Sequence, residues 1–388
     1  MSSILRELGH NERLMLQHVR AAGSLAKADL ARLTNLSNQT ASVIINRLLD
    51  EKLVRKLEVQ RGKVGQPSQP IALAPDGAYA LGIHIGRSSL EVIVLDLVGQ
   101  PQWRAGIAYP HPDVDTVFAA IGRQQDAIAA RLGPERAARL CGLGVAAPLA
   151  LGAWQQLLQQ PADQARQWEG VDIRARLQAM TALPVIFAKD TAAAGVAELV
   201  AGRGRGLTHY LYVYIDSLAG GSLVIGGQPH AGAHGNAGAI GSLPMRAAAH
   251  DQRAVPAQLL SVASLAMLAQ RFNDAGLDPD AARDARALAA PWRDVTLAWA
   301  APAADALACA ICNAACLVDL DAVIVDGKMD RALLALLLGQ VEQALGRYDW
   351  SGAARPPVLP GDLGPEANVS GAAYLALHAS FAPGQMPG

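Results

Sequence analysis

The densest concentration of hydrogen-bonding chemistry lies near the N-terminus. Ser37, Asn38, Gln39 and Thr40 are followed by Ser42, Asn46 and Arg47, in a segment where Ala41, Ile44, Ile45, Leu48 and Leu49 recur at helical spacing. Small amides and hydroxyls in the first turn of a helix are suited to the base edges of a DNA major groove. Arg55, Lys56, Arg61 and Lys63 follow, with Lys52 just before them. Cations so placed suit phosphate oxygens or the minor groove, which position a protein on a duplex without reading its sequence. A second cluster, Cys309, Cys312 and Cys316, has a metal-like spacing. These thiols fall on one helical face among alanines, with no histidine or fourth thiolate beside them. They are expected to be small buried side chains, not metal ligands. His230 and His234 lie in a Gly-rich loop, not on a helix, so no zinc pair is expected there, and no metal or cofactor elsewhere.

The elements that would carry the first cluster can be read from the same pattern. Leu14, Leu16, Val19 and Ala22 predict a helix over 11–22 stopped by Gly23, and Ala28, Leu30, Ala31 and Leu33 predict a second over 27–33. The turn Thr34-Asn35-Leu36 leads to Ser37 as N-cap of a third helix over 38–49. Strands over 53–57 and 70–73 flank the turn 61–67. Three helices and a hairpin with a basic tip make a winged helix-turn-helix over residues 1–75. This segment holds 11 Lys/Arg against 6 Asp/Glu, whereas the whole chain of 388 residues has a net charge of −1. A basic module on a slightly acidic body points to a nucleic-acid partner for the module alone.

Composition excludes several classes. Charged residues are 17% and hydrophobic ones 51%, which rules out disorder for most of the chain. No uninterrupted apolar run reaches the ~18 residues of a membrane span. The N-terminus lacks the basic-then-apolar pattern of a secretory signal, and four cysteines make no disulfide framework. A cytoplasmic protein without membrane contact is expected.

From Tyr79 onward, strands and helices alternate as in an α/β body. Strands are expected at 81–85, 90–96, 141–146, 184–188, 210–215, 223–225 and 322–325, helices at 116–131 and 173–180, and a mostly helical stretch over 254–317. The pattern begins again at Tyr210, suggesting two similar halves. Several runs resemble the ROK family of bacterial repressors and sugar kinases. They are Cys141-Gly142-Leu143-Gly144-Val145-Ala146-Ala147-Pro148, Asp190-Thr191-Ala192-Ala193-Ala194-Gly195-Val196-Ala197-Glu198, the Gly-rich loop 232–242, and Gly371-Ala372-Ala373. The segment 28–37 and the wing exit Gly65-Gln66-Pro67 are similar to the repressor branch. The resemblance implies an α/β fold: a winged helix-turn-helix followed by a two-lobed actin-like (ribonuclease H-like, sugar kinase type) body. Lobe 1 would span 76–190 with the C-terminal helix 370–388, and lobe 2 would span 191–369.

The departures from the family pattern bear on function. Kinases of the family open with Asp-x-Gly-Gly-Thr, where this chain has His84, Gly86, Arg87 and Ser88. Their second phosphate loop, Gly-Thr-Gly-x-Gly, reads Asp216-Ser217-Leu218-Ala219-Gly220 here, and the adenosine-side strand ends Val325-Asp326-Gly327. With three nucleotide elements altered, phosphoryl transfer is not expected. The family's sugar-binding Asn is Lys189, its Glu and His are Ala239 and Ser242, and a later Glu falls at Leu260. Its catalytic Asp remains as Asp190. The resemblance therefore implies a transcriptional regulator, in repressor form, of carbohydrate-related genes, binding a double-stranded DNA operator as a homodimer or dimer of dimers. A sugar-like effector would use Lys189, Asp190, His234 and Asn236. The alternative is an active ATP-dependent sugar kinase with an accessory DNA-binding module.

Overall fold

The computed structural model describes residues 5–58, 69–155, 157–158, 160–245 and 256–384. The N-terminal part runs α1 (His10–Ala22), β1 (Ser24–Leu25), α2 (Lys27–Leu33), α3 (Asn38–Asp50), β2 (Val54–Lys56) and β3 (Ile71–Leu73). Gly23, at φ +77°, ends α1 in a backbone region that side chains disfavour. The turn before α3 places Asn35 at φ +55°, and the Ser37 hydroxyl caps α3 by accepting from the Thr40 N–H at 3.1 Å. The core is Met15, Leu16, Val19, Leu30, Ala31, Ala41, Ile45 and Leu48. Two expectations change here. Ala22, Ala28 and Leu33 are exposed, not inward, and Met15 takes the central place in α1. The two-stranded hairpin gains a third member, giving the antiparallel order β1-β3-β2.

The rest continues as β4 (Tyr79–Ile85), β5 (Ser89–Asp96), β6 (Pro101–Ala108), α4 (Val114–Ala137), β7 (Leu140–Ala147), α5 (Ala162–Arg166), α6 (Ile173–Met180) and β8 (Val185–Lys189). Then follow α7 (Asp190–Ala201), β9 (Tyr210–Ile215), β10 (Ala219–Ile225), β11 (Gln228–His230), α8 (Leu260–Ala263), α9 (Leu265–Asp274), α10 (Arg293–Leu317), β12 (Ala322–Gly327), α11 (Arg331–Leu345), β13 (Val358–Pro360) and α12 (Ala367–Phe381). Two five-stranded sheets result, ordered β6-β5-β4-β7-β8 and β11-β10-β9-β12-β13. Each is an antiparallel three-strand meander whose first strand pairs in parallel with a later one, β4 with β7 and β9 with β12. The repeated order is that of the actin-like fold.

The chain divides into two compact units. The first comprises Met1–Ala146, Gly170–Ala188 and Ala372–Met386, so it holds the winged helix together with the first sheet. Every residue of β4 and β7 is buried, as expected of strands covered on both faces. Gly144 is obligatory within it: a Cβ there would fall 1.7 Å from the Ala372 carbonyl oxygen. The second unit comprises Ala147–Glu169 and Lys189–Gly371 among the described residues. Its core gathers Leu211, Val213, Phe272, Trp299, Leu307, Ile311, Val323 and Leu337 around α10. At 25 residues α10 is long and apolar enough to cross a membrane, yet it runs through this core and buries Thr296, Trp299, Leu307 and Ile311.

Candidate nucleic-acid interface and ligand site

Along α3 the apolar stripe Ala41, Ile44, Ile45 and Leu48 faces the three-helix core. Asn38, Gln39, Thr40, Asn46 and Arg47 are exposed, and Ser42 is half-buried. Ser37 is occupied as the cap, and its hydroxyl lies 2.9 Å from that of Thr40. Arg47, 56% exposed, forms an ion pair with Glu12 at 3.4 Å, so part of its charge is neutralised inside the protein. The same Glu12 carboxylate is bound by Arg6 at 2.6 Å, and that hydrogen bond holds it down at about 2. Arg55 and Lys56 are exposed on β2. Arg61 and Lys63 lie outside the described residues. The sequence pattern did not single out Val43, which is 55% exposed on the polar side of α3. Its position three residues after Thr40 and outside the apolar stripe was the available signal.

Within the first unit the winged helix is fastened to the sheet region through backbone carbonyls. Arg139 donates to the Glu51 carbonyl at 2.7 Å, one residue past α3, and to the Gly77 carbonyl at 2.8 Å. Arg20 of α1 donates to the Leu97 carbonyl at 2.8 Å, and burial pulls its guanidinium below its ordinary value. The C-terminal end of the helix that carries the polar face is therefore tied to the sheet region.

In the body, three polar residues that depart from the kinase pattern, His84, Asp216 and Asp326, have internal partners. His84 is buried, and its Nδ1 lies 3.3 Å from Oε2 of Glu91, its cross-strand neighbour. The Gly86 N–H in the same turn donates to the Ser89 carbonyl at 2.9 Å. Asp216 pairs with Arg283 at 3.0 Å and Lys328 at 3.8 Å. The Ser217 N–H donates to the Asp216 carboxylate at 2.6 Å, and the Ala219 N–H to Ser264 Oγ at 2.8 Å. Asp326 is fully buried, held by Arg331 at 2.9 Å and by the Gly364 N–H at 2.6 Å. Glu198 accepts from the N–H groups of Asp362 and Leu363 on the same loop, and burial pushes its carboxyl above its ordinary value.

Of the expected sugar-site residues, Lys189 ends β8 and Asp190 begins α7. Lys189 Nζ and Thr191 Oγ1 both donate to the Gly221 carbonyl, at 3.0 and 2.9 Å. Burial lowers the Lys189 ammonium, and the Asp190 charge opposes that shift. The Gly-rich loop returns to this point, because Gly238, at φ +72°, passes so close to Ser222 that a Cβ would fall 2.6 Å from its Cα. His234 and Asn236 are exposed on the loop. Among the described residues no hydrogen bond joins either to Lys189 or Asp190. The cysteine expectation is corrected: Cys309 and Cys312 are half-buried and Cys316 is exposed, so the thiols edge the surface of α10.

Three helices with a small antiparallel sheet, followed by two sheets of identical strand order, define an N-terminal helix-turn-helix module and an actin-like body. The chain belongs to the ROK family, whose pattern matches residues 80–379. It is 28% identical over 234 residues to transcriptional regulator Mb0495 of Mycobacterium bovis, covering 58% of this chain and 51% of that protein. Among solved structures it resembles a ROK family transcriptional regulator, a homologue of the E. coli MLC protein. That likeness has 20% identity and a TM-score of 0.69 over 96% of this chain and 98% of the other. The body alone resembles the ROK hexokinase of Thermus thermophilus, with 22% identity and a TM-score of 0.55 over 76% of this chain and 96% of that one.

Proposed function

We propose that the chain is a sequence-specific transcriptional regulator, acting as a repressor of carbohydrate-related genes, whose ROK body senses a ligand and does not transfer phosphate. The observation that carries this reading is the state of the second loop. A phosphate cradle needs backbone N–H groups that point into the site and a surrounding free of negative charge. Here the N–H groups of Ser217 and Ala219 are spent on Asp216 and Ser264, and the Asp216 carboxylate occupies the loop with its own two cations. The polar side of α3, by contrast, is presented to solvent.

One recognition helix covers only a few base pairs, so specific binding calls for a homodimer or dimer of dimers on a pseudo-palindrome with half-sites about 10 bp, or a multiple of it, apart. Lys189 and Asp190, with His234 and Asn236 on the adjoining loop, are the groups we assign to a sugar-like effector. A regulator that acts on bacterial DNA works in the cytoplasm, and that is the location we assign to it. Calorimetry with ATP and Mg²⁺ tests the reading, together with assays for ADP on hexoses, N-acetylhexosamines and pentoses. No binding at millimolar nucleotide and no ADP are expected. Turnover on any sugar, abolished by Asp190→Asn, would establish the kinase alternative instead.

A further inference from the structure

We infer that α3 reads a half-site centred on A·T pairs, with Val43 packed on a thymine methyl group and Gln39 and Asn46 on adenine edges. This rests on the DNA-binding reading above and gives it a substrate. Gln39, Val43 and Asn46 stand at i, i+4 and i+7, one row along the helix, and all three are exposed. The row is about 10 Å long, roughly three base-pair steps. Val43 is 55% exposed, on the side of α3 opposite the core stripe. A valine is a poor helix former and contributes nothing to the core from there. In a major groove its two methyl groups match the one apolar feature the bases offer, the C5 methyl of thymine. Carboxamides flank it, and asparagine and glutamine pair bidentately with adenine N6 and N7.

The residue that would favour guanine is missing from the row. Guanine O6 and N7 are read by arginine or lysine, and the one basic residue of α3 is Arg47. Arg47 stands outside the row and is drawn toward Glu12. Glu12 is itself fixed by Arg6 and by the Gly9 N–H, so the anchor holding Arg47 back is firm.

The test uses the full chain. Duplexes are selected from a random pool, and each thymine of the selected half-site is then replaced singly by deoxyuridine, which removes only the methyl group. Binding is read by fluorescence anisotropy for the wild type, Val43→Ala and Val43→Thr. The expected result is a run of A·T pairs in each half-site, with one thymine whose replacement weakens wild-type binding about four-fold, the worth of one buried methyl group. Val43→Ala should bind the thymine and uracil duplexes alike, and Val43→Thr, which keeps one methyl, should recover part of the discrimination. Selection of G·C pairs at the half-site centre would overturn the inference while leaving DNA binding intact. So would equal sensitivity to deoxyuridine in the wild type and Val43→Ala. No enrichment at all would instead overturn the DNA-binding reading and the inference with it.

Discussion

Replacing Asp216 by asparagine removes one negative charge from between two cations and little else. The amide oxygen can still accept from the Ser217 N–H, so the turn survives while Arg283 and Lys328 lose their counter-charge. The three side chains are 20%, 34% and 10% exposed, between the surface and the interior. Breaking a buried ion pair costs about 3–5 kcal/mol and an exposed one about 0–1. A cost of about 2 kcal/mol follows for this intermediate site. For a unit of this size each kcal/mol lowers Tm by about 2–4 °C, so Asp216→Asn should melt about 4–8 °C below the wild type by calorimetry. In a double-mutant cycle with Arg283→Ala the two losses should fall short of additivity by about 1 kcal/mol or more. Neither variant should gain affinity for ATP, because the Ala219 N–H remains committed to Ser264. An unchanged Tm, or strictly additive losses, would refute the argument that this loop is closed by its own ion pairs.

Three further outcomes are expected. Arg55→Ala with Lys56→Ala should weaken binding to all sequences alike and flatten the slope of log affinity against log salt by about 0.9 for each phosphate no longer neutralised, measured by anisotropy across a salt series. Ser37→Ala removes the cap of α3 and should lower stability by about 1 kcal/mol in urea unfolding, with α3 and the specific DNA affinity suffering together. Burial, with Arg20 nearby, holds the His378 imidazole down at about 4 against an ordinary 6.5. The unfolded chain therefore takes up a proton below pH 6.5 that the native protein refuses. Stability should fall from pH 6.5 toward 4, and urea midpoints of His378→Gln should be flatter over that window. Glu12, whose carboxylate is held at about 2, adds its own loss only below about pH 4.5.

The helices of the winged module were legible because local signals agree there: Gly23 as a stop, Ser37 as a cap, and a clean apolar stripe on α3. The β4–β5 hairpin was legible for the same reason, as a nearly continuous apolar run broken by one polar turn. β6 was missed because it is an edge strand whose exposed and half-buried residues alternate, and its Pro101, Gln102, Arg104 and Gly106 carry no strand preference. β1 is two residues long and exists only because β3 pairs with it. Helix α4 was expected to end near 131, and its backbone does break at Gly133, φ +71°, before resuming at Pro134. Val43 was left out of the core stripe yet given no role, because an apolar side chain offers no hydrogen bond to suggest one. The pairings of Asp216 with Arg283 and of Asp326 with Gly364 join residues 67 and 38 positions apart, which no local pattern encodes. That the residues at these loops differ from the kinase pattern was readable. That Asp216 and Asp326 would each be held by specific partners was not.

The most direct test of the central claim is genome-wide mapping of DNA bound by the chain, compared with Asn46→Ala, a change on the exposed face of α3 that leaves the core untouched. The account predicts discrete sites for the wild type that share an inverted repeat and disappear in the variant, while non-specific affinity for bulk DNA is retained. Diffuse binding without a shared sequence, the same in wild type and variant, would contradict it.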